Sequence, residues 1–224
     1  SLHPGDTREQ VAARRAFLDA GFYAPLAKAV CRTALEYAPT ARAILDVGCG
    51  EGYYSAQIAH ELPQAALYGL DISKDAVRLA AGRYKSGVWL CATAAHLPFP
   101  EHSFDLLISM FSLTVPKEFH RVLTPGGIFL QVLAAEDHLL SLKQTIYPQL
   151  LHREKTFASV LPGFTLAECK TIDFSFTVQD AQIQNLLAMT PHVWRITRQG
   201  AERLAGLERL TDRASVVIQV YRAG

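Results

Sequence analysis

The chain has 224 residues, half of them apolar, with 22 Lys and Arg against 21 Asp and Glu and a net charge of +1. That length supports one sizeable core, no apolar run approaches the ~18 residues a membrane span needs, and no charged-apolar-small leader opens the chain. The near-balanced charge excludes a broadly basic nucleic-acid binder, so any such surface must be a local patch.

Helical periodicity runs over Thr7 to Ala20 and again over Tyr23 to Tyr37, broken at Gly21. The first strand candidate follows, Ala43-Ile44-Leu45-Asp46-Val47, and it passes directly into Gly48-Cys49-Gly50-Glu51-Gly52 and then a helical run to Leu62. Glycines are required where backbone turns tightly and comes within contact of a ligand. Between a strand and a helix they aim backbone N–H groups at a nucleotide-like molecule on the carboxyl edge of a sheet. Dinucleotide folds use G-x-G-x-x-G; an acid followed by G-x-G-x-G resembles the S-adenosylmethionine (SAM) methyltransferases instead. A second strand, Ala66 to Leu70, ends in Asp71-Ile72-Ser73 before a helix over Lys74 to Tyr84. An acid there, about 20 residues past the glycines, is placed to accept both hydroxyls of a ribose; capping of the following helix is its alternative use.

The third strand, Val88 to Cys91, leads into Ala92-Thr93-Ala94-Ala95-His96-Leu97-Pro98-Phe99. That run is similar to the A-x-x-x-x-L-P-F stretch that lines adenine in many SAM enzymes, with Thr93 standing where Asp is frequent. Phe104 to Ser109 reads as strand four, Lys117 to Leu123 as a helix closed by Thr124-Pro125-Gly126-Gly127, and Ile128 to Leu133 as strand five. Beyond Ala135 the pattern gives a helix over Asp137 to Tyr147, a strand near Phe164 to Val178, helices near Ala181 to Ala188 and Thr197 to Ala205, and a β-rich run over Ala214 to Tyr221. The alternation predicts an α/β fold of the doubly wound, Rossmann-like class I SAM-methyltransferase type, its mostly parallel sheet closed by a late antiparallel hairpin and carrying added helices. Residues 1–40 read as a helical segment packing on a methyltransferase domain over 41–224. Four scattered cysteines, Cys31, Cys49, Cys91 and Cys169, have no C-x-x-C pair. They predict reduced thiols in a cytoplasmic protein with neither a disulfide framework nor a bound metal.

Three blocks narrow the resemblance. Ala13-Arg14-Arg15-Ala16-Phe17-Leu18-Asp19-Ala20-Gly21-Phe22-Tyr23-Ala24-Pro25-Leu26, the glycine block with Tyr53-Tyr54, and Met189-Thr190-Pro191-His192-Val193-Trp194-Arg195 resemble the bacterial large-subunit (23S) rRNA guanine-N1 methyltransferases. That family includes enzymes that confer resistance to tylosin-type macrolides. The likeness runs from about Pro4 to the C-terminus. It implies SAM as cofactor, a 23S rRNA hairpin as partner, Tyr23 closing over the cofactor, Gly50 and Glu51 at its methionine part, and His138 reaching the same pocket. Tyr23 has the alternative of packing the N-terminal helices, and His138 of opening a helix. Family members carry a cysteine/histidine zinc module ahead of the P-G-D stretch; this chain opens at Ser1, three residues before Pro4-Gly5-Asp6, which reads as a fragment. After strand four, Phe111-Ser112-Leu113-Thr114-Val115-Pro116 departs from the aromatic-small-proline pattern of relatives, in the loop that faces the methyl group.

The cofactor set is therefore Tyr23, Asp46, Gly48, Gly50, Glu51, Gly52, Asp71, Ile72, Thr93, Ala94 and His138. Trp194 and Thr190, with Arg14 and Arg15, are candidates for the acceptor, Trp194 as a stacking platform and alternatively as a core or dimer-contact residue. Lys28, Arg32, Arg195 and Arg198 are further contributors to a basic patch. Asp105 and His138 are the candidate proton acceptors for guanine N1, Asp105 with the alternative of a structural acid at the start of its strand. A small-molecule methyltransferase on the same fold is the competing reading, favoured by the low charge and the altered loop; a homodimer stays open.

Overall fold

The computed structural model describes residues 5–150, 157 and 160–224; Pro4, where the family likeness begins, lies outside them. Helix α1 (Arg8–Asp19) opens on a capping box in which Thr7 and Gln10 satisfy each other's backbone N–H, and α2 (Ala24–Tyr37) opens with Pro25 in its first turn. Strand β1 (Ala43–Val47), α3 (Tyr53–Glu61), β2 (Ala66–Asp71), α4 (Lys74–Arg83) and β3 (Val88–Cys91) follow. Then come β4 (Phe104–Met110), α5 (Pro116–Val122), β5 (Leu123–Ala134) and α6 (Leu140–Ile146). The chain ends with β6 (Phe164–Gln179), α7 (Ala181–Ala188), a 3-10 turn (Pro191–Trp194), α8 (Arg198–Ala205) and β7 (Arg209–Ala223).

The seven strands form one sheet in the order β3-β2-β1-β4-β5-β7-β6, parallel throughout except for β7. The doubly wound class I architecture expected from the βα alternation is thus observed. One face buries Ile44, Leu106, Ile108 and Leu130 against Phe17, Leu26 and Val30, so α1 and α2 share the core of the sheet. The other face buries Leu45, Leu107 and Phe129 against Phe119 and Val122 of α5.

The late hairpin is longer than its sequence pattern shows. β6 and β7 pair from Phe164 opposite Ala223 to Gln179 opposite Arg209, whereas β5 accompanies β7 only up to Ala134 opposite Val216. Residues Arg209 to Ser215 therefore pair with β6 alone and carry the hairpin past the carboxyl edge of the parallel strands. Helix α7, the 3-10 turn and α8 connect β6 to β7 at that overhang, and α1 packs on α7, with Gln10 Nε2 donating to the Ala188 carbonyl at 3.5 Å. Helix α6 begins at Leu140 and not at Asp137. Leu139 holds φ +55°, its N–H bonds the Arg213 carbonyl, and the Asp212 carboxylate takes the N–H groups of Ser141 and Leu142 at 3.1 and 2.7 Å. Among the described residues no helix is long and apolar enough to cross a membrane, and no group of three or more His, Cys, Asp or Glu stands in metal-binding proximity.

Candidate active site

The site forms where β1 gives way to α3. Gly48, Gly50 and Gly52 all have positive φ, +81°, +56° and +84°. At Gly52 a Cβ would come within 2.7 Å of the Trp89 ring, and at Gly48 it would overlap the Ser112 side chain from the loop after β4. Both positions thus require glycine on conformation and on space. The loop is tied to β2: Gly48 and Cys49 donate their N–H groups to the Leu70 carbonyl at 2.7 and 3.0 Å, and Gly50 donates to Asp71 Oδ2 at 2.9 Å.

Asp71 has a second bond, accepting the Ser73 N–H on Oδ1 at 2.8 Å. The helix cap is Ser73 itself, whose Oγ accepts from Ala76 N. Asp71 is therefore not the cap: it welds the glycine loop to the tip of β2, and each oxygen keeps a lone pair for a further donor such as a ribose hydroxyl. Ile72 beside it is exposed, an apolar surface at the same edge.

Asp46 lies within the buried part of β1, one residue before its end. It is 2 % exposed; Oδ2 accepts from Ser55 Oγ at 2.5 Å, and Oδ1 has no hydrogen-bond partner among the described residues. Burial pushes its pKa up to about 7, the Ser55 bond pulls it back, and the Asp71 and Glu51 charges raise it further. Glu51 is also buried, and its carboxyl is raised by burial against the pull of a backbone hydrogen bond and, less, of Arg14. A buried, incompletely bonded carboxylate beside an open glycine turn is a setting that a cationic ligand satisfies. SAM fits: it brings a sulfonium, an ammonium, and a ribose for Asp71.

The loop after β3 is more tightly held than its sequence shows. Arg121 donates from Nη1 to the Phe99 carbonyl at 2.7 Å and from Nη2 to the Leu97 carbonyl at 2.9 Å, while Glu118 Oε2 accepts from Leu97 N at 2.8 Å. Its hydrogen bonds to Arg121 hold Glu118 down at about 2. Thr93 spends its hydroxyl on the Ala95 N–H at 3.2 Å, so the turn carrying Thr93 and Ala94 closes on itself.

Tyr23 is buried among Phe17, Phe174 and Phe176, with ring centroids 5.0, 5.7 and 5.7 Å away, and its hydroxyl lies 3.4 Å from His138 Nε2. Its packing use is therefore realised, and burial raises its pKa strongly. His138 Nδ1 accepts the Ser215 N–H at 3.1 Å. Only an unprotonated Nδ1 accepts that bond, so the neutral ring carries its proton on Nε2, toward Tyr23. A base at this position would have to give up one of these bonds, an arrangement that suits His138 to positioning Tyr23 against the late hairpin. Asp105 takes its structural alternative. It lies at the amino end of β4, where Oδ2 accepts from Arg42 N and Ala43 N at 2.8 and 3.1 Å, at the opposite end of the strand from the glycine loop.

Trp194 is 69 % exposed at the end of the 3-10 turn, which rules out the core alternative. Thr190 is buried, its Oγ1 donating to the Leu187 carbonyl at 2.8 Å, and so it serves the C-terminus of α7 rather than a ligand. Arg15 faces Asp19 at 3.6 Å, and Asp19 is also held by Arg83. Arg14 does not join a remote basic patch: it pairs with Asp6 and stands beside Gly50. Two features of the loop after β4 come from the structure. Phe111 is an exposed aromatic held at φ +52° at the end of β4, its ring 5.9 Å from that of His138. Gln131 of β5 donates to Thr114 Oγ1 at 2.5 Å, anchoring the loop after β4.

Fold and site together define a SAM-dependent methyltransferase, and residues 44–127 match the family model of a methyltransferase domain. The Streptomyces fradiae 23S rRNA (guanine(748)-N(1))-methyltransferase is 31% identical over 97% of this chain and 80% of its own length. The Bacillus subtilis protein YxjB, provisionally named a 23S rRNA (guanine-N(1)-)-methyltransferase, is 31% identical over 79% of this chain and 66% of its own. A crystal structure from Bacillus halodurans C-125, titled provisionally as a methyltransferase, superposes with a TM-score of 0.55 at 17% identity, covering 86% of this chain and 97% of that one. This chain belongs to the 23S rRNA guanine-N1 methyltransferase family.

Proposed function

We propose that this methyltransferase modifies N1 of a guanine in a 23S rRNA hairpin. The observation that carries the reading is the nearly full-length likeness to relatives so named, which extends through the α7–α8 connection and not only the cofactor half. The geometry supports it. Two exposed aromatic rings, Trp194 and Phe111, stand on loops at the carboxyl edge, where a base swung out of a hairpin could stack. Beside the glycine loop, starting at Tyr53, a groove of about 1030 Å³ runs between α2, α3 and α4. Lys28, Arg32 and Arg83, the last already paired with Asp19, line it with the carboxylate of Glu61 and the rings of Tyr53 and Tyr84. A local basic patch of this kind suits a phosphate backbone despite the small net charge.

SAM supplies an already activated methyl group. The protein's task is to bring N1 into line with it, a positioning effect worth roughly 7–11 kcal/mol in favourable cases. The Gln131–Thr114 bond fixes the loop that faces the acceptor, and Tyr23 and His138 hold the wall behind Phe111. With Asp105 remote and His138 engaged on both nitrogens, the N1 proton leaves to solvent. An rRNA acceptor supports a cytoplasmic site of action.

The test is methylation of 23S rRNA hairpin transcripts by the purified protein, with mass mapping of the product. One new N1-methylguanine at a single nucleotide is the expected result. No RNA product, together with turnover of small nucleophiles, would move the chain to the small-molecule class.

A further inference from the structure

Arg14 is placed by α1 over the glycine loop. Its guanidinium Nη2 lies 2.5 Å from Asp6 Oδ2, with the side chain only a quarter exposed. Leaving aside its chain neighbours, Nη1 is the one described heavy atom within 4 Å of where a Cβ on Gly50 would sit, 3.6 Å away, so the open side of Gly50 looks onto Arg14. Glu51 and Asp46 belong to the same strand-to-helix turn, both buried, Glu51 within electrostatic reach of Arg14 and Asp46 with an unpartnered oxygen. A guanidinium and buried carboxyls gathered at one turn match the two charges of a zwitterionic α-amino acid.

The direction of the ligand follows from Asp71. With the ribose on that carboxylate and adenine against exposed Ile72, the 5′ substituent must leave across Gly48 to Gly52 toward Asp46, Glu51 and Arg14. We infer that Arg14 receives the carboxylate of the cofactor's amino-acid tail, exchanging its bond to Asp6 for one to the ligand. A guanidinium offers a carboxylate two parallel N–H bonds, the stronger charge-assisted kind.

Asp6 makes the exchange more than a local contact. Its carbonyl accepts from Ser73 Oγ at 2.7 Å, and a Cβ on Gly5 would sit 2.9 Å from Ile72 Cγ2. The segment Gly5 to Thr7 is thus fastened on the adenine side of the mouth while its acid holds Arg14 on the tail side. In the free protein Asp6 occupies the guanidinium that the tail needs and keeps it aimed at the turn.

The inference concerns the cofactor alone and stands whichever acceptor the enzyme uses. Calorimetry compares S-adenosylhomocysteine, which has the tail, with 5′-methylthioadenosine, which lacks it. Arg14→Gln should weaken S-adenosylhomocysteine at least tenfold and leave methylthioadenosine within twofold, with Arg14→Lys recovering part of the loss. Asp6→Asn, which removes the competing charge, should tighten S-adenosylhomocysteine and not methylthioadenosine. Equal losses for both ligands in Arg14→Gln would make Arg14 a support of the loop. Unchanged affinity for both, with weaker hairpin binding, would return it to the RNA surface. If Arg14→Gln does not fold, an unaltered ratio of the two affinities in Asp6→Asn overturns the inference.

Discussion

Two buried aspartates divide the molecule. Asp212, 3 % exposed in the late hairpin, accepts from the backbone N–H groups of Ser141, Leu142 and Arg213 at 3.1, 2.7 and 2.8 Å. Asp46, equally buried in the parallel half, has one protein donor and an oxygen without a partner among the described residues. The first carboxylate holds α6 against β7 and is complete as it stands. The second is left under-bonded at the turn that faces the cofactor. A buried acid is thus structural or functional according to how fully the protein satisfies it, and its burial alone does not distinguish the two.

The largest expected effect falls on Asp46. Its folded pKa of about 7 exceeds an unfolded value of roughly 3.9, so between these limits the folded state binds the extra proton and stability falls as pH rises. At 1.36 kcal/mol per unit the total is at most roughly 4 kcal/mol. Urea denaturation of the ligand-free protein from pH 4 to 8 should show the fall, and Asp46→Asn should flatten it. A slope unchanged by the substitution would place Asp46 in the same structural category as Asp212.

Next comes Asp71→Ala, which strands the Gly50 and Ser73 N–H groups as well as removing the ribose acceptor. SAM affinity measured by calorimetry should drop about a hundredfold, ~3 kcal/mol. Wild-type affinity in a folded variant would exclude both roles.

Trp194→Ala tests the other half of the molecule. Loss of a stacking platform costs ~1–3 kcal/mol, so methyl transfer to the rRNA hairpin should fall about tenfold while SAM binding stays near wild type. Loss of SAM binding instead would join the two halves into one site. The smallest effect is expected for Arg15→Gln. Its exposed pairing with Asp19 at 3.6 Å is worth well under about 1 kcal/mol, and melting temperature should barely move. A large drop in RNA affinity at low salt would extend the basic groove onto α1.

The sequence by itself determined the parallel half. Asp46, the three glycines and Asp71 are legible because the turn, the close approach and the tip of β2 each demand a residue type at a fixed offset along the chain. Strand alternation likewise identified the late hairpin, though not its length, since β7 runs back to Arg209 only because β6 supplies a partner there. The N-terminal and C-terminal blocks carried the family likeness without giving each residue its place. Tertiary structure decided the rest. Arg14 reads as one of several arginines until α1 lays it against Gly50. Asp105 is a promising acid until its strand is seen to point its other end at the glycines. The state of His138 depends on an N–H contributed by Ser215, 77 residues away. Gln131 and Glu118 have no motif at all, and Phe111 is legible only as the start of a loop that departs from its relatives' pattern. Local conformational demands are written in neighbouring residues, whereas protonation, exposure and ligand reach are set by atoms that only folding brings together.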